Sequence, residues 1–287
     1  MRSRLTIFLI FSSFITLSQG PVDGFFKGQG NADIAVGFGI NQSSKYNGSP
    51  DSLYNLPYSA QQFNIFGQYG ITDNLDVIGS LPFVFGKSEN KFQDLGLHLK
   101  YRPVNKSWNN NNWSLIFSSG FTFPASNYEA DVSGALGRRE KKIPFRFINQ
   151  LKLKNGLFFN ITGAYFLRID KISNIKLSNY KETEPSFNIQ QPSDHCSIMT
   201  RLGWATTHHF VEVYALYQNT LGGIDYRFGI EQPIQLYEVD FLKVGGTYYY
   251  GGKENGVALN LSYVPALRRN IGNIVFAGVS FVLKYRK

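Results

Sequence analysis

Asp94-Leu-Gly-Leu-His-Leu-Lys-Tyr-Arg102 sets Leu95, Leu97, Leu99 and Tyr101 against Asp94, His98, Lys100 and Arg102. Successive side chains of an extended chain point to opposite faces, so this stretch is a strand with one apolar and one charged face. The pattern recurs outward from it. Leu75, Val77, Leu81, Phe83 and Phe85 share a parity, as do Leu115, Phe117, Phe121 and Phe123, and Val275, Val279, Phe281 and Leu283. The chain is built from many alternating strands.

Alternation and turn punctuation together predict strands near 32–42, 60–71, 75–86, 92–102, 113–123, 143–154, 157–168, 195–205, 209–218, 225–234, 241–250, 256–264 and 274–285. Thr72-Asp73-Asn74 and Asn155-Gly156 read as tight turns, the second because both residues tolerate positive φ. Longer polar connections fall at 43–59, 124–142 and 169–194. Gly28-Gln29-Gly30 lacks the strand-helix context of a phosphate loop and reads as a turn into the first strand.

A soluble sandwich would also show one apolar face, turned inward. Three features point outward instead. The strands run to about ten residues or more, the length of a tilted membrane crossing. Tyr69, Tyr101, Trp113, Trp204, Tyr217, Tyr250, Tyr263 and Tyr285 sit on the apolar parity near segment ends, as interfacial girdles do. The opposite parity carries charged and small residues, such as Asp33, Gly37 and Gly39, or Arg146, Gln150 and Lys152, which predicts a watery interior. Asn149 falls on the lipid-facing parity and reads as a bulge.

Lipid offers the backbone no hydrogen bonds, so a sheet crosses it only by closing on itself. The expected fold is all-β: a single closed antiparallel transmembrane barrel with short periplasmic turns and longer extracellular loops. Thirteen segments conflict with the even strand number of single-chain bacterial barrels. The blurred region 205–240, with Gly222-Gly223 and Pro233, favours twelve strands, with fourteen as the alternative.

The remaining composition fits. Of 287 residues, 43% are apolar, 16% aromatic and 17% charged, and no mature segment approaches the length of a membrane-spanning helix. Arg2 and Arg4 precede an apolar run from Leu5 to Leu17 and then Ser18-Gln19-Gly20, the parts of a secretory signal peptide. Residues 1–20 are therefore expected to be the signal and 21–287 the barrel. The net charge of +9 comes without basic runs interleaved with stacking aromatics, so nucleic acid is not an expected partner. Arg138-Arg139-Glu140-Lys141-Lys142 reads as a solvated loop. The lone Cys196 offers no disulfide, and no Cys/His spacing suggests a metal.

At Tyr69-Gly-Ile-Thr-Asp-Asn-Leu-Asp-Val77, Ser80-Leu-Pro-Phe83 and Asp94 to Arg102 the chain resembles the outer-membrane barrel family of the meta-pathway of phenol degradation, across residues 60–102. The resemblance implies a Gram-negative outer-membrane, transporter-like barrel associated with uptake of organic compounds. The matching motif is turn and wall, so it carries over no ligand-binding residue; Pro82 is expected to shape a strand near the rim.

By parity, Asp94, His98, Lys100, Arg102, Arg146, Lys152, Arg168, Arg201, Arg227, Glu231 and Lys243 are the lumen-lining candidates. Basic residues outnumber acidic ones in this set, which favours anions in an aqueous lumen, while interior polar groups also pair with one another to rigidify a barrel. His98, His195, His208 and His209 show no spacing of mechanistic content, so neither an enzyme nor a cofactor is expected. Two functions follow from the pattern: a porin-like channel or transporter for passive uptake of small organic, aromatic or anionic solutes, and a non-conducting outer-membrane barrel that binds partners through its loops. Its surroundings would be outer-membrane lipid; the pattern does not separate a monomer from a homo-oligomer.

Overall fold

The computed structural model describes residues 22–43, 58–86, 89–128, 139–169, 194–221, 240–265 and 273–287. Thirteen strands follow in order: β1 (Ala32–Ser43), β2 (Tyr58–Thr72), β3 (Leu75–Phe85), β4 (Asn90–Phe92), β5 (Asp94–Trp108), β6 (Asn111–Pro124), β7 (Lys142–Lys152), β8 (Leu157–Arg168), β9 (His195–Ala205), β10 (His209–Thr220), β11 (Phe241–Gly251), β12 (Asn255–Val264) and β13 (Ile274–Tyr285). All pairings are antiparallel. β13 pairs with β1 from Ala32↔Tyr285 to Ser43↔Ile274, and β2 pairs with both β1 and β3, which closes the ring. Twelve long strands make the wall, as expected, and the three-residue β4 hangs on the end of β3. The expected strand at 225–234 and the signal at 1–20 lie outside the described residues.

The ends of the cylinder differ. Hairpins after β2, β5, β7, β9 and β11 are tight and lie at one end, where the start of β1 and the end of β13 also meet. The other connections leave from the opposite end. This asymmetry is that of short periplasmic turns and longer extracellular loops. Turn chemistry explains the tight end: Gly156 has φ 89°, and the Asn155 side chain accepts a hydrogen bond from the backbone N–H of Leu157 at 3.1 Å. Asn109 and Asn110, at φ 47° and 65°, make a hairpin that composition alone did not reveal. β5 consequently extends to Trp108, beyond the expected end at 102, after a register shift between Tyr101 and Val104. Pro82, without an N–H, sits where β3 passes from pairing with β5 to pairing with β4.

The apolar parity faces outward. Leu97, Leu99, Tyr101, Phe117, Phe145, Phe147, Leu202, Val213, Leu259, Leu261, Phe281 and Leu283 are exposed, a continuous belt that only hydrocarbon would solvate. Tyr69, Tyr101, Trp204, Tyr250 and Tyr285 ring the short-turn end, and Tyr165, Tyr217 and Tyr263 the other. Asn149 is no bulge. The β6–β7 register runs unbroken through it, and its side-chain oxygen accepts the Trp113 indole N–H at 3.0 Å, satisfying both polar groups within the girdle.

The inside is less watery than expected. Ala35, Phe66, Ile78, Ile116, Ile148 and Val282 face inward and form one buried cluster with Val22. Alternation tells which face a residue occupies, not whether water or another segment of chain meets it there.

Candidate functional site

What meets it is residues 22–31. Gly28 and Gly30 adopt φ 80° and 77°, a conformation open to glycine, and reverse the chain at the short-turn rim. There the Gly30 N–H donates to the Gly70 carbonyl at 2.9 Å and the Gln29 N–H to Asp73 at 3.1 Å. From this turn the chain runs back into the lumen, so the expected turn into β1 is also the root of an inward segment.

The anchor of that segment is Lys100. Its side chain is fully buried, with Nζ 2.5 Å from the Phe25 carbonyl, 3.3 Å from Asp23 and 3.6 Å from Asp76, over the ring of Phe26 at 4.6 Å. Gln68 donates to both Asp76, at 2.5 Å, and the Phe25 carbonyl, at 3.1 Å. A buried ammonium needs such neutralisation. Burial works against ionisation of Asp23, but Lys100, Lys27 and Arg201 outweigh it and hold that carboxyl below its ordinary value. On the other side, the Phe25 ring packs edge-on to Phe158 and Phe210, at 5.0 and 5.6 Å. The segment thus bridges β2–β5 and β8–β10 across the lumen.

A cavity of about 270 Å³ remains beside it, walled by the segment and by β1, β2 and β9–β13. Phe25, Phe66, Phe210 and Tyr249 supply aromatic faces; Lys27, Arg201, Lys284 and Arg286 supply cations; Asp23, Asp33 and Glu212 supply carboxylates. Tyr249 lies flat on the wall, its hydroxyl 2.0 and 2.2 Å from where Cβ atoms at Gly251 and Gly256 would stand; larger residues there would push it into the passage. Towards the short-turn mouth the lining continues with Lys152 and Lys154.

At the opposite mouth, Tyr128 turns inward onto Ala60 and Val84 and donates to Asp94 at 2.6 Å, while the Arg139 N–H donates to the Tyr128 hydroxyl at 2.7 Å. Burial and the Asp94 carboxylate raise the Tyr128 pKa well above its ordinary value. Glu140 is buried between Lys142, at 3.1 Å, and Arg168, at 3.3 Å, so the basic run at 138–142 is not uniformly solvated as expected.

The candidates therefore separate. Lys100 is neutralised by the inward segment. Arg102 bonds the Asn74 side chain at 2.9 Å and the Asp73 carbonyl at 2.8 Å, at the rim. Asp94 and Arg168 belong to the far mouth, and Lys152 to the near one. Among the described residues the buried His98 Nδ1 has no hydrogen-bond partner, nor has Nη1 of Arg146, whose guanidinium lies over Phe166 at 5.3 Å. Lys243 lies over Phe276 at 5.4 Å. Among the described members of the set, Arg201 alone lines the cavity. Arg227 and Glu231 lie outside the described residues. Sequence reasoning missed Asp23, Phe25 and Phe26, which precede the first strand and carry no periodicity, and Asp76, Glu212, Tyr128 and Tyr249. Among the described residues no group of three His, Cys, Asp or Glu is placed to hold a metal.

A closed cylinder with an apolar exterior and a polar, aromatic and partly occupied lumen defines a transmembrane β-barrel. Comparison with solved structures agrees. The chain is similar to an outer membrane channel from Pseudomonas putida F1, with TM-score 0.65 at 13% identity, over 94% of this chain and 100% of that one. It is also similar to the NanC porin, with TM-score 0.53 at 9% identity, over 89% and 100%. These likenesses are of fold, and it is the fold that the resemblance at residues 60–102 implied. Neither a protein family model nor a curated protein matches the sequence.

Proposed function

We propose that this protein is an outer-membrane channel for passive uptake of small organic solutes. The observation that carries the reading is the cavity of about 270 Å³ left between the inward segment and β9–β13, which shares Phe25, Phe210, Tyr249 and Lys284 with a lysine-bearing pocket at the short-turn mouth. Two further observations support it: the outward apolar belt suits the bilayer, and the similar Pseudomonas structure is of an outer membrane channel. Twelve strands lie between barrels filled by their own side chains and those that hold an open aqueous pore, so a narrow, occupied passage is the expected outcome. Residues 1–20 are proposed as the signal peptide that directs export; N-terminal sequencing of the membrane-inserted protein should start between residues 19 and 21.

The test is conductance in planar bilayers of the full barrel against a variant lacking residues 22–27. Small discrete steps in the first and larger ones in the second are expected. Silence of both across voltages overturns the reading.

A second reading, a non-conducting barrel acting through its loops, is favoured by one observation: Val22 packs against the inward-facing Ile78, Ile116 and Ile148, which fills part of the lumen with apolar side chains. Silence of both variants, together with retained binding of a surface partner, would select it.

A further inference from the structure

The cavity beside the inward segment has an unbalanced set of charges. Asp33 is shared by Lys27, at 2.5 Å, and Arg286, at 2.7 Å. Asp23 is taken by Lys100 at 3.3 Å, and Glu212 accepts a hydrogen bond from Thr247 at 3.2 Å. Two cations in the wall have no carboxylate within ion-pair distance among the described residues. Lys284 donates to the Gly252 carbonyl at 3.1 Å and lies over Tyr249. Arg201 is 5% exposed; its Nε meets Met199 Sδ at 3.0 Å and its Nη2 reaches the Val22 carbonyl only at 3.5 Å. Arg201 acts on Asp23 and Glu212 through space but sits at ion-pair distance from neither, and this nearly buried guanidinium borders the cavity between phenylalanine rings.

We propose that this cavity binds a small organic carboxylate, its anionic group on Arg201 and its apolar body against Phe25, Phe66 and Phe210. The guanidinium fork matches a carboxylate in geometry and charge. Lys284 adds a second positive charge on the mouth side, and Lys152 and Lys154 extend it outward, so an anion meets a favourable potential along the path. The volume of about 270 Å³ lies at the low end for ligand pockets and limits the body to about one ring. This inference rests on the reading of the lumen as a solute path and names what that path selects.

The experiment is calorimetric titration of the full barrel in nanodiscs with benzoate, benzyl alcohol and benzylamine, which share one ring and differ in charge. Benzoate should bind about tenfold tighter than benzyl alcohol, the scale of one charged hydrogen-bonded contact. Arg201→Gln should remove that preference, and Lys284→Gln should weaken it severalfold. Equal affinities in the unaltered protein, or tightest binding of benzylamine through Glu212, overturn the proposal. So does an unchanged preference in Arg201→Gln that retains the mobility of the folded barrel on unheated SDS gels; should that variant not fold, an unchanged preference in Lys284→Gln overturns it instead. Binding is read without conductance, so a silent barrel that prefers benzoate overturns the channel and keeps the site, and a conducting barrel without preference does the reverse.

Discussion

Lys100 on β5 holds the carbonyl of Phe25 at 2.5 Å, and its charge is shared between Asp23 of the inward segment and Asp76 of β3. One wall residue thus positions the segment, and the segment supplies one of its two carboxylate partners. Lys100→Met should release the segment, because two carboxylates lose their counter-charge; removing one partner of a buried pair costs about 3–5 kcal/mol. The expected result is a larger single-channel conductance. A Phe25→Cys reporter in a Cys196→Ser background should also react faster with a membrane-impermeant thiol reagent once Lys100 is replaced.

The same anchor sets a pH dependence. The Asp23 pKa in the folded protein is below the ordinary 3.8, so its contribution is complete above pH 3.8 and is lost as pH falls through the lower folded value. The part of segment release that Asp23 controls should be absent above pH 3.8 and grow as the pH falls below it. Asp23→Asn should show the raised conductance at pH 7 already and lack an acid step from this residue.

The lipid-facing assignment is tested at Leu259, 46% exposed near the middle of β12. Leu259→Arg should destabilise the barrel in lipid vesicles by about 2–4 kcal/mol, the cost of a basic residue near the bilayer midplane. An exposed position in water would change stability by about 0.5 kcal/mol or less. Chemical unfolding in vesicles measures the difference.

At the long-loop mouth, Tyr128→Phe removes the donor to Asp94 and the acceptor for the Arg139 N–H. Leaving those buried partners unsatisfied costs about 1–3 kcal/mol. Limited trypsin digestion should cleave after Arg139 faster than in the unaltered protein, with the barrel wall still protected.

The wall was legible in the sequence because its physics is local. Leu97, Leu99 and Tyr101 against His98 and Lys100 already state the parity, and the girdle tyrosines state the medium. The strand number follows once the blurred region 205–240 is discounted, but β4 and the extension of β5 past Pro103 do not, since a three-residue strand and a strand crossing a register shift leave no clear alternation. The lumen was legible only as a set of inward positions. Lys100 and Arg201 have the same pattern in the sequence; one is neutralised and the other borders a cavity because of where residues 22–27 lie, and that segment has no period to read.

The seat of those residues has two halves: Gln68, Asp76 and Lys100 on one arc of the wall, Phe158, Arg201 and Phe210 on the facing arc. They oppose one another only when β13 has joined β1, the most distant partners in the chain. The stopper therefore has no complete socket until the last stave is in place, and a half-assembled wall would have nothing to hold it.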